Sequence, residues 1–407
     1  MNHKAKCFKL AGCIILLVFL IAVPFTAFSQ TKDKIRMGCA ISLSGPYASG
    51  AQVTQISNYT MWLEAVNAKG GIFVKEYGKR LPIELITYDD RSDHGTVVKL
   101  VEKLILEDKV DFLLPPWGNA QNFAVAPVAS KYGYPLVCPT IASMKIKEII
   151  STLPYFFVTL MQPDDVGAGI LPVLKELNIK KVAITYLSDL RAIELTGYLA
   201  PRLGPAGIEV ALMKTYPFET KDLSPILKAI KGAKVDGLIA FTYPGDTMLM
   251  TEQAMAVGLN LKYFRLDIGV GHHYYKDKFG AKGLEGVMGP GAWGRKSSPE
   301  AAAFADAYIK KWKHDPDWAG AGISYASYQV VEQAIEKAGT LDRAKIRDVI
   351  ATETFPTIAG RLKYVDGFNK TFTGLEAQWQ NGVFETIYPT EYATAKPIYP
   401  KPPWPKK

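Results

Sequence analysis

Short apolar runs rich in β-branched and aromatic residues alternate, along most of the chain, with stretches whose apolar residues recur every three or four positions. That alternation is the mark of βαβ units and parallel sheets. Residues 83–88, Ile-Glu-Leu-Ile-Thr-Tyr, read as a strand. Val97, Leu100, Val101, Leu104 and Ile105 follow at i, i+3, i+4, i+7 and i+8, one face of a helix. Residues 110–114 form the next strand, and Pro115-Pro116 stops it, because proline has no N–H to extend a ladder. A helix over 121–132 and a strand over 135–138 complete the series. A second series begins after Thr159, with strands over 181–186, 208–214, 236–242 and 261–266. Leu223, Ile226, Leu227 and Ile230 mark a helix face between them, and 248–257 a further helix.

Near Pro290 the pattern changes. Ser297-Ser298-Pro299-Glu300 has capping-box spacing and opens a long helix with Phe304, Ala307, Tyr308 and Trp312 on one face. Two more helices follow, over 325–337 and 343–351. Residues 357–389 read as short strands with turns at Asp366-Gly367 and Asn381-Gly382, and 396–407 as an extended proline-rich tail. The expected fold is α/β, with two doubly wound parallel-sheet lobes joined by a three-strand hinge. Residues 31–158 and 290–358 would form the first lobe, and 159–289 and 359–407 the second.

The first residues read as an export signal. Lys4, Lys6 and Lys9 precede an uncharged stretch from Leu10 to Phe28, and Ala27-Phe28-Ser29 is a small-x-small cleavage pattern. Residues 1–29 are thus expected to be removed, leaving the protein on the periplasmic or extracellular side of the membrane. The alternative is an uncleaved anchor, since the run approaches a membrane-spanning length. Leu10-Ala11-Gly12-Cys13 has the look of a lipoprotein box, but no apolar region precedes it. The net charge of +9 falls to about +6 without the three leader lysines and forms no basic patch, which argues against nucleic-acid binding. Of four cysteines, Cys39 and Cys138 remain after cleavage. An exported protein permits a disulfide between them, but both lie in apolar strand-like runs that suit buried free thiols.

Open parallel sheets bind ligands at the carboxyl ends of their strands, so the loops there carry the candidate chemistry. The first is Ser42-Leu43-Ser44-Gly45-Pro46-Tyr47. It is no phosphate loop, since neither G-x-G-x-x-G nor a G-K-[ST] ending is present. Pro115-Pro116-Trp117-Gly118-Asn119 feeds a helix N-terminus, which favours an anion such as a carboxylate. Pro139-Thr140-Ile141-Ala142-Ser143 follows the next strand. In the second series the corresponding loops are Tyr243-Pro244-Gly245-Asp246 and Asp267-Ile268-Gly269-Val270-Gly271.

Residues 35–47 with their Ser-Gly-Pro loop, Asn67-Ala68-Lys69-Gly70-Gly71, Tyr88-Asp89-Asp90 and the helix and strand over 124–139 resemble a type I periplasmic binding protein. The family is that of the leucine/isoleucine/valine-binding protein, and the resemblance covers essentially the whole chain after the signal. It implies a ligand carboxylate held from the first lobe at Asn119, Thr140 and Ala142. It further implies Tyr243 and Asp267 from the second lobe, the acid pairing with a ligand ammonium. Tyr47, Trp117, Gly118 and Ser143 complete the candidate set. The chain departs from the family where Asn119 replaces the usual serine, Ala142 a hydroxyl residue, and Ser188-Asp189-Leu190-Arg191 the usual Tyr-Gly.

The implied function is the solute-binding component of an ABC importer. It would capture an amino acid of branched-chain or similar apolar type by hinge closure, without catalysis, cofactor or metal. Its partners would be that ligand and a membrane permease, and it would act as a monomer. If Asp267 caps a turn or pairs with Arg265 instead, the aromatic residues suit an aromatic carboxylate or small amide. A ligand-sensing receptor domain is a third reading, which calls for a membrane helix or signalling domain beyond the lobes. An oxidoreductase would need a glycine fingerprint after the first strand, and a hydrolase a G-x-S-x-G elbow; both are absent. None of the five histidines falls in a motif, and the adjacent pair His272-His273 is expected to face solvent.

Overall fold

A computed structural model describes residues 32–405 apart from Ala292, Phe372 and Thr373, so the export segment read over 1–29 lies outside the described residues. The first lobe is organised on β1 (Ile35–Ile41). A small hairpin, β2 (Ile72–Val74) and β3 (Lys79–Leu81), precedes β4 (Ile83–Asp89), which pairs in parallel with β1 along its whole length. β5 (Phe112–Leu114) pairs with β1 from the other side. A doubly wound sheet is made this way: chain connections leave its first strand in opposite directions and open a crevice at the carboxyl ends. β6 (Leu136–Cys138) and β7 (Phe156–Val158) are parallel neighbours, and all their residues are buried, as expected of strands covered by helices on both faces.

The second lobe repeats the logic. β8 (Lys181–Leu187) lies between β9 (Glu209–Tyr216) and β10 (Gly237–Phe241), all parallel, and β11 (Tyr263–Arg265) and β12 (Val287–Pro290) extend the sheet. The helices Pro299–Trp312, Ile323–Ala338 and Arg343–Thr352 then return to the first lobe. Trp62 Nε1 donates to Glu332 at 3.0 Å and Lys311 reaches Glu64 at 2.7 Å. The cap of Pro299–Trp312 is Ser298, whose side chain accepts from Ala301 N at 3.1 Å; the capping-box reading was one residue early.

β13 (Thr354–Thr357), β14 (Gly360–Val365) and β15 (Phe368–Asn369) form an antiparallel run whose last strand pairs with β7 at Phe368–Val158. Residues 359–369 therefore stand with the first lobe's strands, not the second's as the 358/359 boundary had it. The chain passes back after Asn369, and β16 (Glu376–Gln380) and β17 (Val383–Tyr388) add antiparallel strands next to β12. The proline-rich tail is extended but anchored on this lobe. Ile398 N donates to Gln378 at 2.7 Å, Lys401 N to Lys262 O at 2.8 Å and Trp404 Nε1 to Leu259 O at 2.7 Å. Among the described residues no helix is long and apolar enough to cross a membrane.

Candidate functional site

The loops at the carboxyl ends of both sheets meet around a cavity of about 70 Å³, measured by the centres of water-sized spheres. One water needs roughly 10–15 Å³ on that scale, so the space holds a small solute or several waters. The first lobe contributes Thr54, Trp117, Gly118, Asn119, Pro139 and Thr140 to its wall. Leu160, Met161, Val166, Arg191, Tyr243 and 267–271 face them, and Asp317, Ala319 and Gly320 come from the segment between two helices.

Trp117 is buried, with Nε1 donating to Thr54 Oγ1 at 2.8 Å. Its ring meets Tyr47 at 5.5 Å and Tyr243 at 5.9 Å between centroids, and Tyr243 stacks on Phe218 at 5.8 Å. These four rings, two from each lobe, join across the cleft. Ser143 Oγ donates to Glu194 at 2.9 Å and Met144 N to the same carboxylate at 3.0 Å, so the lobes are closed on each other at this edge. Tyr47, Ala142 and Ser143 do not line the cavity. Tyr47 supports the ring cluster, and burial pushes its phenol up to about 12.

The polar groups expected to hold a ligand from the first lobe are engaged within the protein. Asn119 Oδ1 accepts from Ala142 N at 2.9 Å, and Asn119 Nδ2 donates to Ala142 O at 2.6 Å. Both backbone groups of Ala142 are thereby paired, and with them the Asn119 amide. Thr140 Oγ1 donates to Gln55 Oε1 at 2.9 Å and accepts from Gly118 N at 3.2 Å. Ser143 Oγ, already bonded to Glu194, also caps its own helix at Lys145 N. What the first lobe leaves open is the N-terminus of Asn119–Tyr132, entered through Gly118 at φ +91°, a conformation that favours glycine.

On the second lobe, Asp267 is buried against two guanidinium groups. Arg191 Nε donates to its Oδ2 at 3.0 Å, and Arg265 Nη1 lies 3.6 Å from its Oδ1. Arg265 also donates to Glu376 through Nε and Nη2, both at 2.8 Å, a two-point pair with neither side chain exposed. Tyr243 OH donates to Asp189 at 2.9 Å, and burial drives its phenol well above the usual value. Arg191 and Asp317 were missed in the sequence. The signal for Arg191 was the departure at residues 188–191; Asp317 lay in an inter-helix link with no motif.

His272 is fully buried, contrary to the solvent-facing expectation, and His273 is half-buried. His272 Nε2 lies 3.4 Å from Asp317 Oδ2, and its Nδ1 is 2.5 Å from Tyr274 OH. His273 stacks on His314, with 3.5 Å between ring centroids. Burial first, then His314, lower the pKa of His273; Asp277 pulls the other way, and His272 adds the smallest lowering. A base lowered in the folded state holds its full stabilisation above its ordinary value near 6.5 and loses it as pH falls below that. The urea midpoint is therefore expected to fall between pH 7.5 and 5.5 in wild type and to fall less in His273→Gln. Asp246, pushed up to about 6 by burial, acts in the opposite direction below that pH, so the difference between the two proteins isolates His273. Equal drops in both would show that His273 does not contribute.

Cys39 and Cys138 are buried free thiols, and burial raises the pKa of both. Among the described residues no group of three or more His, Cys, Asp or Glu is placed to hold a metal.

The sequence model of the periplasmic binding protein family matches residues 34–374. A Leu/Ile/Val-binding protein homolog of Brucella suis biovar 1 is 22% identical over 412 residues, covering 94% of this chain and 98% of its own. Among solved structures, the branched-chain amino acid transporter substrate binding protein of Streptococcus pneumoniae, in complex with isoleucine, matches with a TM-score of 0.76. Its identity is 20%, and the match covers 88% of this chain and 100% of that one. The solute binding protein of an ABC transporter from R. palustris, in complex with benzoate, gives a TM-score of 0.76 at 19% identity, covering 87% of this chain and 95% of its own. At these identities the likeness to the solved structures is one of fold.

Proposed function

The chain belongs to the periplasmic binding protein family, and from that premise we propose that it is the extracytoplasmic solute-binding component of an ABC importer, taking a small apolar carboxylate between its lobes. The observation that carries the ligand class is the engagement of Asp267 by Arg191 and Arg265. An ammonium about 4 Å from Asp267 would gain about 4 kcal/mol at an effective dielectric near 20, and one guanidinium at the same distance would cancel that gain. The second guanidinium, Arg265, is itself held by Glu376, so the two guanidiniums and two carboxylates together offer a cation no net attraction. The wall around it is apolar and aromatic, from Trp117, Leu160, Met161, Val166 and Tyr243, which suits an aliphatic or aromatic body.

An apolar amino acid is the second reading. Asp317 favours it, as a buried carboxylate on the cavity wall whose ion-pair partner, His272, carries charge only when protonated. Leucine, 4-methylpentanoate and isopentylamine share one apolar body and separate these readings by head group, with benzoate as the aromatic member. Protein freed of ligand by unfolding and refolding would be screened by thermal shift. A ligand at 100 times its Kd adds about 2.7 kcal/mol of stability. The carboxylates are expected to raise the midpoint and the amine to leave it unchanged. A shift from leucine alone would favour the amino-acid reading, and no shift from any of them would count against solute capture of this class.

A further inference from the structure

Resting on the carboxylate reading, we propose that Arg191 receives the ligand's carboxylate, so that the solute lies with its acid head on the second lobe and its apolar body between Trp117, Met161 and Tyr243. This orientation reverses the one implied by the family resemblance, in which the first lobe holds the carboxylate.

The assignment follows from what each polar group is already doing. Arg191 stands in the first turn of the helix Leu190–Leu203, directly after β8, at the point where the second sheet's connections part to either side. It is the only lysine or arginine on the cavity wall among the described residues. The residue is 6% exposed; its Nε is spent on Asp267 Oδ2 at 3.0 Å, while its Nη1 is buried without a partner. A guanidinium keeps its charge and offers a planar fork that matches two carboxylate oxygens, so an open donor on a buried one favours an oxyanion. Of the nearby acids, Asp189 accepts from Tyr243 OH and Arg191 N, and Asp267 Oδ2 holds the inner edge of the fork, while Asp267 Oδ1 has no hydrogen bond and lies 3.6 Å from Arg265 Nη1. Across the cleft, Asn119 closes off Ala142, and Thr140 is bonded to Gln55 and Gly118. The helix N-terminus at Asn119 is the rival anion site, and it is separable from Arg191 by substitution.

The experiment uses one ring with three heads. Benzoate, benzamide and benzylamine are titrated calorimetrically into the ligand-freed protein at pH 7. Wild type is expected to bind benzoate at least tenfold more tightly than benzamide and to reject benzylamine. Arg191→Gln should weaken benzoate roughly 10- to 100-fold and abolish the preference over benzamide, the range of one charge-assisted hydrogen bond. Arg191→Lys should keep part of the preference. Because Arg191→Gln leaves Asp267 short of a partner, Arg191→Gln/Asp267→Asn removes both charges together, with folding verified by circular dichroism. Benzoate affinity unchanged in the folded Arg191→Gln or double variant overturns the proposal and moves the carboxylate to the Asn119 helix. Isoleucine bound by wild type with benzoate rejected, and isoleucine affinity indifferent to Arg191→Gln, also overturns it while leaving solute capture standing. Failure of wild type to bind isoleucine or any of the acids defeats the underlying reading itself.

Discussion

Asn119→Leu is expected to lower the unfolding free energy by about 2–6 kcal/mol, because it leaves two buried backbone groups without partners at about 1–3 kcal/mol each. Asn119 is nearly inaccessible, and its amide bonds both the N–H and the C=O of Ala142. Leucine fills a similar volume and supplies neither partner. The clasp joins the start of the helix Asn119–Tyr132 to the loop after β6, two pieces of cavity wall or its backing, so loosening it would also cost ligand affinity. Asn119→Asp tests the same bond in part, since it keeps the acceptor for Ala142 N and loses the donor to Ala142 O. Urea denaturation at pH 7 should rank wild type above Asn119→Asp, and Asn119→Asp above Asn119→Leu. A leucine variant as stable as wild type but unable to bind would return Asn119 to the role of direct ligand contact.

Glu376→Gln is expected to cost about 3–5 kcal/mol, the usual penalty for breaking a buried ion pair by removing one partner. Glu376 on β16 bonds Arg265 on β11 at two points, each 2.8 Å long, and spans the intervening β12. The amide keeps the shape, but one of its two positions becomes a donor facing a donor, and the guanidinium keeps one amide oxygen, Leu266 O at 3.3 Å and, as its only charged partner, Asp267 at 3.6 Å. Replacing both partners, as Arg265→Met/Glu376→Leu, should recover much of the loss, because apolar pairs of similar volume often match buried ion pairs in stability. Denaturant midpoints of the single and double variants decide the matter. A single variant within 1 kcal/mol of wild type, by way of a relaxed or hydrated pair, would refute the expectation.

Strand pairing and hydrogen-bond commitment mark where the sequence stopped being informative. The two α/β lobes were legible because the apolar period of 83–114 and 181–266 is a local property: strands and helices of this length bury one face wherever they pack. The loops that line the cavity were legible for the same reason, since the carboxyl end of a parallel strand is known once its direction along the chain is known. Trp117, Gly118, Asn119, Thr140, Tyr243 and Asp267 were accordingly found on the cavity wall. The third crossing was not legible. β14 and β15 are short, and nothing in six- and two-residue segments says which sheet they will join; Phe368 chose Val158, some 210 residues earlier in the chain. Nor did the sequence reveal that Asn119 would serve Ala142, that Arg191 would hold Asp267, or that His272 would be buried against Asp317. A polar side chain has several possible partners, and which one it meets depends on contacts between segments far apart in sequence. Sequence thus determined which segments reach the cleft, through local periodicity and strand direction. Tertiary structure alone decided which of their polar groups are already paired there, because only in the folded chain is burial complete and every donor competing for a fixed set of acceptors.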